Sequence, residues 1–191
     1  MASQKESTRE SSYDRVTILL HWLTAVLVVA LFALAESWDF LRHGSPLRKE
    51  LHSIHISLGI VLALVMTVRL GWRVTRGRRL ASVSAGLMAF AGKAVHHALY
   101  LLLAVQIVLG FLWRWAQAEA FMFFGLFPVQ FATVKDRALS HTLGNLHDIA
   151  AWSIIALAGL HAAAALMHHH ILRDGVLKRM LPGRPISDFG G

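Results

Sequence analysis

The chain has 191 residues, of which 55% are hydrophobic and only 16% are charged, and its formal net charge is +8. This composition is too apolar for a soluble domain of this length and indicates a small integral membrane protein. The absence of cysteine excludes disulfides, thiolate metal sites, iron–sulfur clusters and covalently attached haem. The basic charge does not indicate nucleic-acid binding, because no soluble basic face is evident.

Four apolar runs predict an all-α integral membrane four-helix bundle, since each is close to the roughly 20 residues that a membrane-spanning helix needs. The runs cover residues 16–37, 51–72, 87–115 and 142–170. They mostly lack the alternation of polar and apolar faces that marks soluble helices. The polar leader shows no cleavage site, so the first run is predicted to be a span. The predicted organisation is a leader (1–15), a four-span domain (16–172) and a basic tail (173–191).

Basic residues predict the orientation of the bundle. Thirteen of the 19 lysines and arginines lie in the leader, the tail and the inner connection with its flanking span ends. The positive-inside rule therefore places both termini and the 73–93 connection in the cytoplasm, next to anionic lipid. The outer connection between the third and fourth runs is aromatic and is interrupted by Gly125 and Pro128. It is predicted to lie along the outer membrane–water interface.

Histidines occupy two levels of the predicted bundle. His147 and His161 in the fourth run would lie about 21 Å apart along one helix and on nearly the same face. His55 is level with His147 near the outer side, and His21 is level with His161 near the cytoplasmic side. Two level pairs favour two six-coordinate b haems between the helices, because unpaired imidazoles are costly in hydrocarbon. Glycines that would leave room for a macrocycle lie nearby, and they are Gly59, Gly144 and Gly159.

Alternatives stay open at this point. A single intramembrane histidine is often a hydrogen-bond partner of another helix, which explains two level pairs poorly. His96 also lies near the level of His161, so the residues alone do not choose between His96 and His21. His52 competes for the outer haem but lies closer to water. Zinc or copper transport suits imidazole and the segment "MHHHILRD", yet a transport path usually mixes carboxylates with histidines, and the only clearly membrane-level acid is Asp148 at a helix end.

The chain resembles the bacterial cytochrome b561 family in segments that follow the family's order. These are "YDRVTILLHWL", "IHISLGIVLALVMTVRL", "HHALYLLLAVQIVLG" and "HDIAAWSIIALAGLHAAAALMHH" followed by "RDGVLKRMLPG". The resemblance covers nearly the whole chain, from Tyr13 to about Gly183. The wider group includes b-type cytochrome subunits of nickel–iron hydrogenases and formate dehydrogenases, and the chain is most similar to compact members of the superoxide:ubiquinone oxidoreductase type.

The resemblance implies a diheme cytochrome of the bacterial inner membrane that exchanges electrons with ubiquinone or another quinone. The outer-side partner would be superoxide or a periplasmic redox protein, and any enzymatic activity would be that of an oxidoreductase. The alternative is a haem-bearing membrane anchor for a partner such as a hydrogenase; the oligomeric state is not predicted. The resemblance makes His21 and His161 the axial ligands of the inner haem, and His55 and His147 those of the outer haem.

Further residues are candidates for contacts with a haem propionate or a quinone. Arg15, about one and a half turns before His21, is a candidate for pairing with a propionate, and His96 is a polar neighbour of the inner haem. His168 continues the helix face of His161 and would bond to a quinone or lie among lipid headgroups. The outer side carries the basic residues Arg114, Lys135 and Arg137. They would offset propionate charge, steer an anion such as superoxide, or only anchor the loop.

Overall fold

The computed structural model describes residues 12–77, 80, 86–174 and 176–181. Its four long helices are α1 (Arg15–Ser37), α2 (Pro46–Thr75), α3 (Gly86–Gln117) and α4 (Arg137–Met167). All four are long and apolar enough to cross a membrane, which confirms the predicted membrane four-helix bundle. Most of the predicted leader, the end of the basic tail, and Arg78 and Arg79 of the inner connection lie outside the described residues.

The second and fourth helices begin five residues earlier than the apolar runs predicted. Ser45 caps α2 by accepting a hydrogen bond from the third residue of the helix, and Pro46 at the first position has a backbone angle suited to a helix start. Asp136 caps α4 in the same way. His141, which precedes the fourth apolar run, therefore lies inside α4. The hydropathy pattern did not predict these first turns because their residues are polar. A capping side chain allows a helix to begin in water, before its apolar part.

The helices pack as two hairpins with a space between them. α1 packs along α2 and α3 along α4, whereas close backbone contacts between the two hairpins are few. The hairpins meet in an apolar cluster in which Leu103 of α3 and Ile154 of α4 contact α1 and α2. Ile154 is seven residues from both His147 and His161, so this cluster lies midway between the two histidine levels.

The outer connection contains a short antiparallel β-hairpin that the sequence did not predict. Its strands are β1 (Phe121–Phe123) and β2 (Phe127–Val129), with Gly125 at positive φ in the turn. Two backbone N–H groups of the hairpin donate to hydroxyls on α2, one to Ser53 at 3.2 Å and one to Ser57 at 3.0 Å. These bonds hold the connection against the outer half of α2.

The chain turns back at the inner end of the bundle. α4 continues into a π-helical turn, His168–Leu172, which ends where Arg173 adopts a left-handed conformation. The described part of the tail then runs under α1, where the indole N–H of Trp22 donates to the carbonyl of Met180 at 2.8 Å. This bond holds the described part of the tail against α1.

Candidate functional site

At the outer level, His55 of α2 faces His147 of α4 across the space between the hairpins. Their ring centres are 6.4 Å apart and their planes are inclined by 71°. Nδ1 of His55 lies 3.1 Å from the carbonyl oxygen of Leu31. Donation of Nδ1–H to this carbonyl leaves the lone pair of Nε2 free to bind a metal ion.

A cavity of about 690 Å³ surrounds the outer pair. Its size is typical of a cofactor pocket, and it is lined by both histidines and by apolar side chains from all four helices. Gly110 of α3 lines it too, and a Cβ there would lie 3.2 Å from Cε1 of His147. A Cβ at Gly59 would meet nothing within 4 Å, so this part of α2 leaves open space in the cavity.

Unsatisfied polar atoms are concentrated in this cavity. In the part of the chain that the structure describes, four buried side-chain nitrogen or oxygen atoms lack a hydrogen-bond partner, and all four belong to residues that line the cavity. They are His52 Nε2, Gln106 Oε1, Arg114 Nε and His147 Nδ1. Each such atom costs about 1–3 kcal/mol when it stays unpaired. A haem fits two members of this set, since its propionates would accept from the imidazole of His52 and the guanidinium of Arg114.

At the inner level, His21 of α1 faces His161 of α4, and their ring centres are also 6.4 Å apart. His96 of α3 lies closer to His161, at 5.0 Å. Two imidazoles that bind one iron from opposite sides have ring centres roughly 6–6.5 Å apart, because each metal–nitrogen bond is about 2 Å long. The spacing therefore favours His21 over His96 as the partner of His161, a choice that the residues alone left open.

Arg69 of α2 contacts the inner pair. Its Nη2 atom lies 3.0 Å from Nδ1 of His21, and its guanidinium carbon lies 5.1 Å from the ring centre of Tyr100 on α3. A guanidinium only donates, so Nδ1 of His21 is the acceptor in this contact. Metal binding through Nε2 requires a proton on Nδ1, so Arg69 must then turn to another acceptor, such as a haem carboxylate.

His168 and Asp174 form a polar pair at the inner end. Nδ1 of His168 is hydrogen-bonded to Oδ2 of Asp174, and Oδ1 of Asp174 accepts from the backbone N–H of Val176 at 3.1 Å. The hydrogen bond from His168 lowers the pKa of Asp174 below its ordinary value, and the Val176 bond adds to this effect. Arg15 is exposed at the start of α1, and in the described part of the chain no hydrogen bond joins it to a histidine.

Several residues of the outer cavity were not predicted from the sequence. The side chain of Gln106 contacts His147 at 3.1 Å between their Nε2 atoms, and Trp113 lies 5.5 Å from the same imidazole. The sequence does contain a feature that could have indicated Gln106. It is an isolated amide in the apolar run "LLLAVQIVLGFLW", one turn before Gly110. Arg114, Lys135 and Arg137, for which the sequence left several roles open, all line this cavity.

The family described as prokaryotic cytochrome b561 matches residues 12–183. The chain belongs to this family. It is 34% identical over 180 residues to cytochrome b561 homolog 2 of Escherichia coli, which covers 93% of this chain and 95% of that protein. It is 30% identical to the probable superoxide oxidase CybB of Yersinia pestis (89% and 96% covered). It is 28% identical to cytochrome b562 of Cereibacter sphaeroides (93% and 99% covered).

Membership of the family confirms the resemblance drawn from the sequence. The protein is a multi-pass, lipid-embedded b-type cytochrome of electron transport. The orphaned nitrogens of His52 and Arg114 in the outer cavity are consistent with the b-type haem that the family implies.

Proposed function

We propose that this cytochrome binds two b haems, one between His55 and His147 and one between His21 and His161. The main support is the equal 6.4 Å separation of the rings in both pairs, which suits opposed binding to one iron. When bound, the haems would supply one-electron chemistry across the bilayer, between an outer-side partner and membrane quinone.

We further propose that the outer level faces the periplasm and that both termini are cytoplasmic in a bacterial inner membrane. The distribution of lysine and arginine along the chain supports this orientation. Leu103 and Ile154 exclude water between the two levels, because both are buried where the hairpins meet. The chain thereby holds four imidazoles at fixed depths in an apolar surrounding, which tunes the potential of a bound haem.

Quinone exchange is proposed at the inner end, beside His168. A quinone takes up two electrons and two protons when it is reduced, so a proton-carrying side chain is needed near its oxygens. Asp174 accepts Nδ1–H of His168 and fixes the ring, which leaves Nε2 to bond to a quinone oxygen or a quinol hydroxyl. His168 continues the face of His161, about 10 Å further along the helix axis.

Superoxide is the proposed outer-side partner. The relative from Yersinia pestis is named a probable superoxide oxidase. Three cationic side chains line the outer cavity, where they attract a small anion, and they are Arg114, Lys135 and Arg137.

A reduced-minus-oxidised spectrum with haem quantified per chain tests the haem assignment. We expect two low-spin b haems per chain in the purified protein. His147→Ala and His161→Ala should each remove one haem, whereas His141→Ala, on the same helix, should leave both. Loss of a haem from His141→Ala together with full haem content in His147→Ala would show that the ligands are misassigned.

Stopped-flow reduction by quinol tests the inner site. His168→Gln and Asp174→Asn should slow haem reduction by about tenfold or more with unchanged haem spectra, since a positioned acid–base group contributes at least this much. His169→Gln is the matched control and should reduce at the wild-type rate. If all three variants were reduced at the wild-type rate, the proposed quinone site would be wrong, whereas the haem-ligand assignment would be unaffected.

Superoxide generated in solution tests the outer partner. The purified protein alone should reduce quinone, at a rate that falls as ionic strength rises. Lack of any superoxide-dependent reduction, combined with a stoichiometric redox protein that copurifies, would instead support the membrane-anchor alternative.

A further inference from the structure

We propose that His52 and Arg114 form a clamp that binds the propionate carboxylates of the outer haem. The proposal rests on the outer haem proposed above and concerns two side chains that neither bind its iron nor take part in quinone exchange. Each side chain has one buried nitrogen without a hydrogen-bond partner, and both residues line the outer cavity.

The imidazole of His52 is held rigidly at the edge of the cavity. Its ring centre lies 4.0 Å from that of Trp38, with the planes inclined by 33°. Trp38 begins a short 3₁₀ turn, and its carbonyl accepts a hydrogen bond from Arg48 at 2.5 Å. Since the stacked ring is fixed, the unpaired Nε2 of His52 is preorganised to bond to a ligand.

Arg114 leaves its Nε unpaired while both of its terminal nitrogens are engaged. Its Nη1 donates to Gln117 at 2.7 Å, and its Nη2 donates to the carbonyls of Glu119 and Ala120 at 2.7 and 2.9 Å. These bonds fix the guanidinium, whose side chain is only 10% exposed. The remaining donor, Nε, is buried and unpaired.

The two donors lie one helical turn outside the iron level on opposite hairpins. His52 is three residues before His55 on α2, and Arg114 is four residues after Gly110, which abuts His147. A haem bound between the imidazoles with its propionates toward the outer surface would bring carboxylates to this height. Carboxylates accept strong, charge-assisted hydrogen bonds from such donors.

The chain's own carboxylates near the clamp are already engaged. The charged groups that act on His52 are Arg48, Arg114, Asp39 and Glu119. Asp39 pairs with Arg48 at 3.4 Å, and Glu119 accepts from Lys135 at 2.7 Å and pairs with Nη1 of Arg114 at 3.8 Å, so none of these contacts uses Nε2 of His52 or Nε of Arg114. An anion from outside the chain is therefore the partner that fits the two free donors.

Haem release from the purified full-length protein to excess apomyoglobin tests the clamp. His52→Phe keeps an aromatic ring on Trp38 but removes Nε2, so the outer haem should leave about tenfold faster or more. Arg114→Gln should do the same and should shift the ferrous-to-ferric ratio of that haem about tenfold toward ferric, which is 59 mV for one electron. The matched control is His141→Phe, another cavity-lining histidine, which should release haem at the wild-type rate.

The outcomes separate this proposal from the one on which it rests. Unchanged haem release in His52→Phe overturns the clamp, even if Arg114→Gln loses its fold. Slower superoxide-dependent reduction with normal haem release also overturns it and assigns the two donors to a small anion instead. A wild-type protein that holds only the inner haem refutes the proposed function itself, and the haem count reveals this before any release is measured.

Discussion

Gly110 is the residue at which one added methyl group should disturb the outer site. A Cβ there would lie 3.2 Å from the His147 ring, tighter than ordinary van der Waals contact. Gly110→Ala should displace the ring slightly, and Gly110→Leu should lower the haem content from two per chain toward one. Gly92→Ala on the same helix meets nothing within 4 Å and should keep both haems. Full haem content in Gly110→Leu would contradict this account.

Glu119 should make stability depend on pH in the outer connection. A hydrogen bond from Lys135 at 2.7 Å holds the pKa of Glu119 below its ordinary value of 4.5. A lowered folded-state pKa stabilises the fold above the unfolded-state value, and this contribution is lost as the pH falls through the folded-state pKa. Lys135→Met should therefore lower the melting temperature at pH 7, and progressively less below pH 4.5.

The size of this effect should be small, since the two side chains are 46% and 57% exposed. Exposed ion pairs contribute about 0–1 kcal/mol, which corresponds to no more than about 4 °C in a protein of this length. Thermal unfolding of both proteins at pH 7 and pH 4 measures the difference. An equal loss at both pH values would show that packing of the lysine stem, and not its charge, is responsible.

At the scale of elements, the β-hairpin depends on one fully buried hydroxyl. Ser57 Oγ accepts from the N–H of Phe124 and donates to the carbonyl of Ser53 at 2.7 Å. Ser57→Ala should leave the Phe124 N–H unsatisfied and weaken docking of the hairpin by about 1–3 kcal/mol. Hydrogen exchange of residues 121–129 should then be faster.

The matched control is Ser153→Ala on α4, because that hydroxyl bonds only within its own helix, to the carbonyl of Ile149 at 2.8 Å. It should leave exchange of the hairpin unchanged. If Ser57→Ala also left exchange unchanged, the strands would hold the outer connection in place without help from α2.

At the scale of the whole molecule, the orientation of the bundle can be tested cleanly because the chain contains no cysteine. We expect His43→Cys, in the outer connection between α1 and α2, to react with a membrane-impermeant maleimide in intact cells. Lys178→Cys, in the described part of the tail, should react only in inverted membrane vesicles. Both side chains are exposed, so burial should not limit labelling. The opposite pattern would reverse the topology and place the quinone site on the outer side.

The sequence by itself determined the number of spans and the two levels at which the paired histidines lie. Both follow from one-dimensional quantities, the thickness of hydrocarbon and the rise of a helix, so His147 and His161 could be assigned to two levels without a structure. It also determined the family, since the segments that carry the likeness are contiguous.

Only the tertiary structure decided which side chains meet across the space between the hairpins. His96 and His21 have similar depths, and their distances to His161 separate them only once the helices are packed. The contact of Gly110 with His147, and the orphaned nitrogens of His52 and Arg114, likewise join residues on different helices. Helical periodicity determines the depth of each residue along its helix and the side of the helix on which it lies. The rotation and spacing of neighbouring helices depend on how all their side chains pack together.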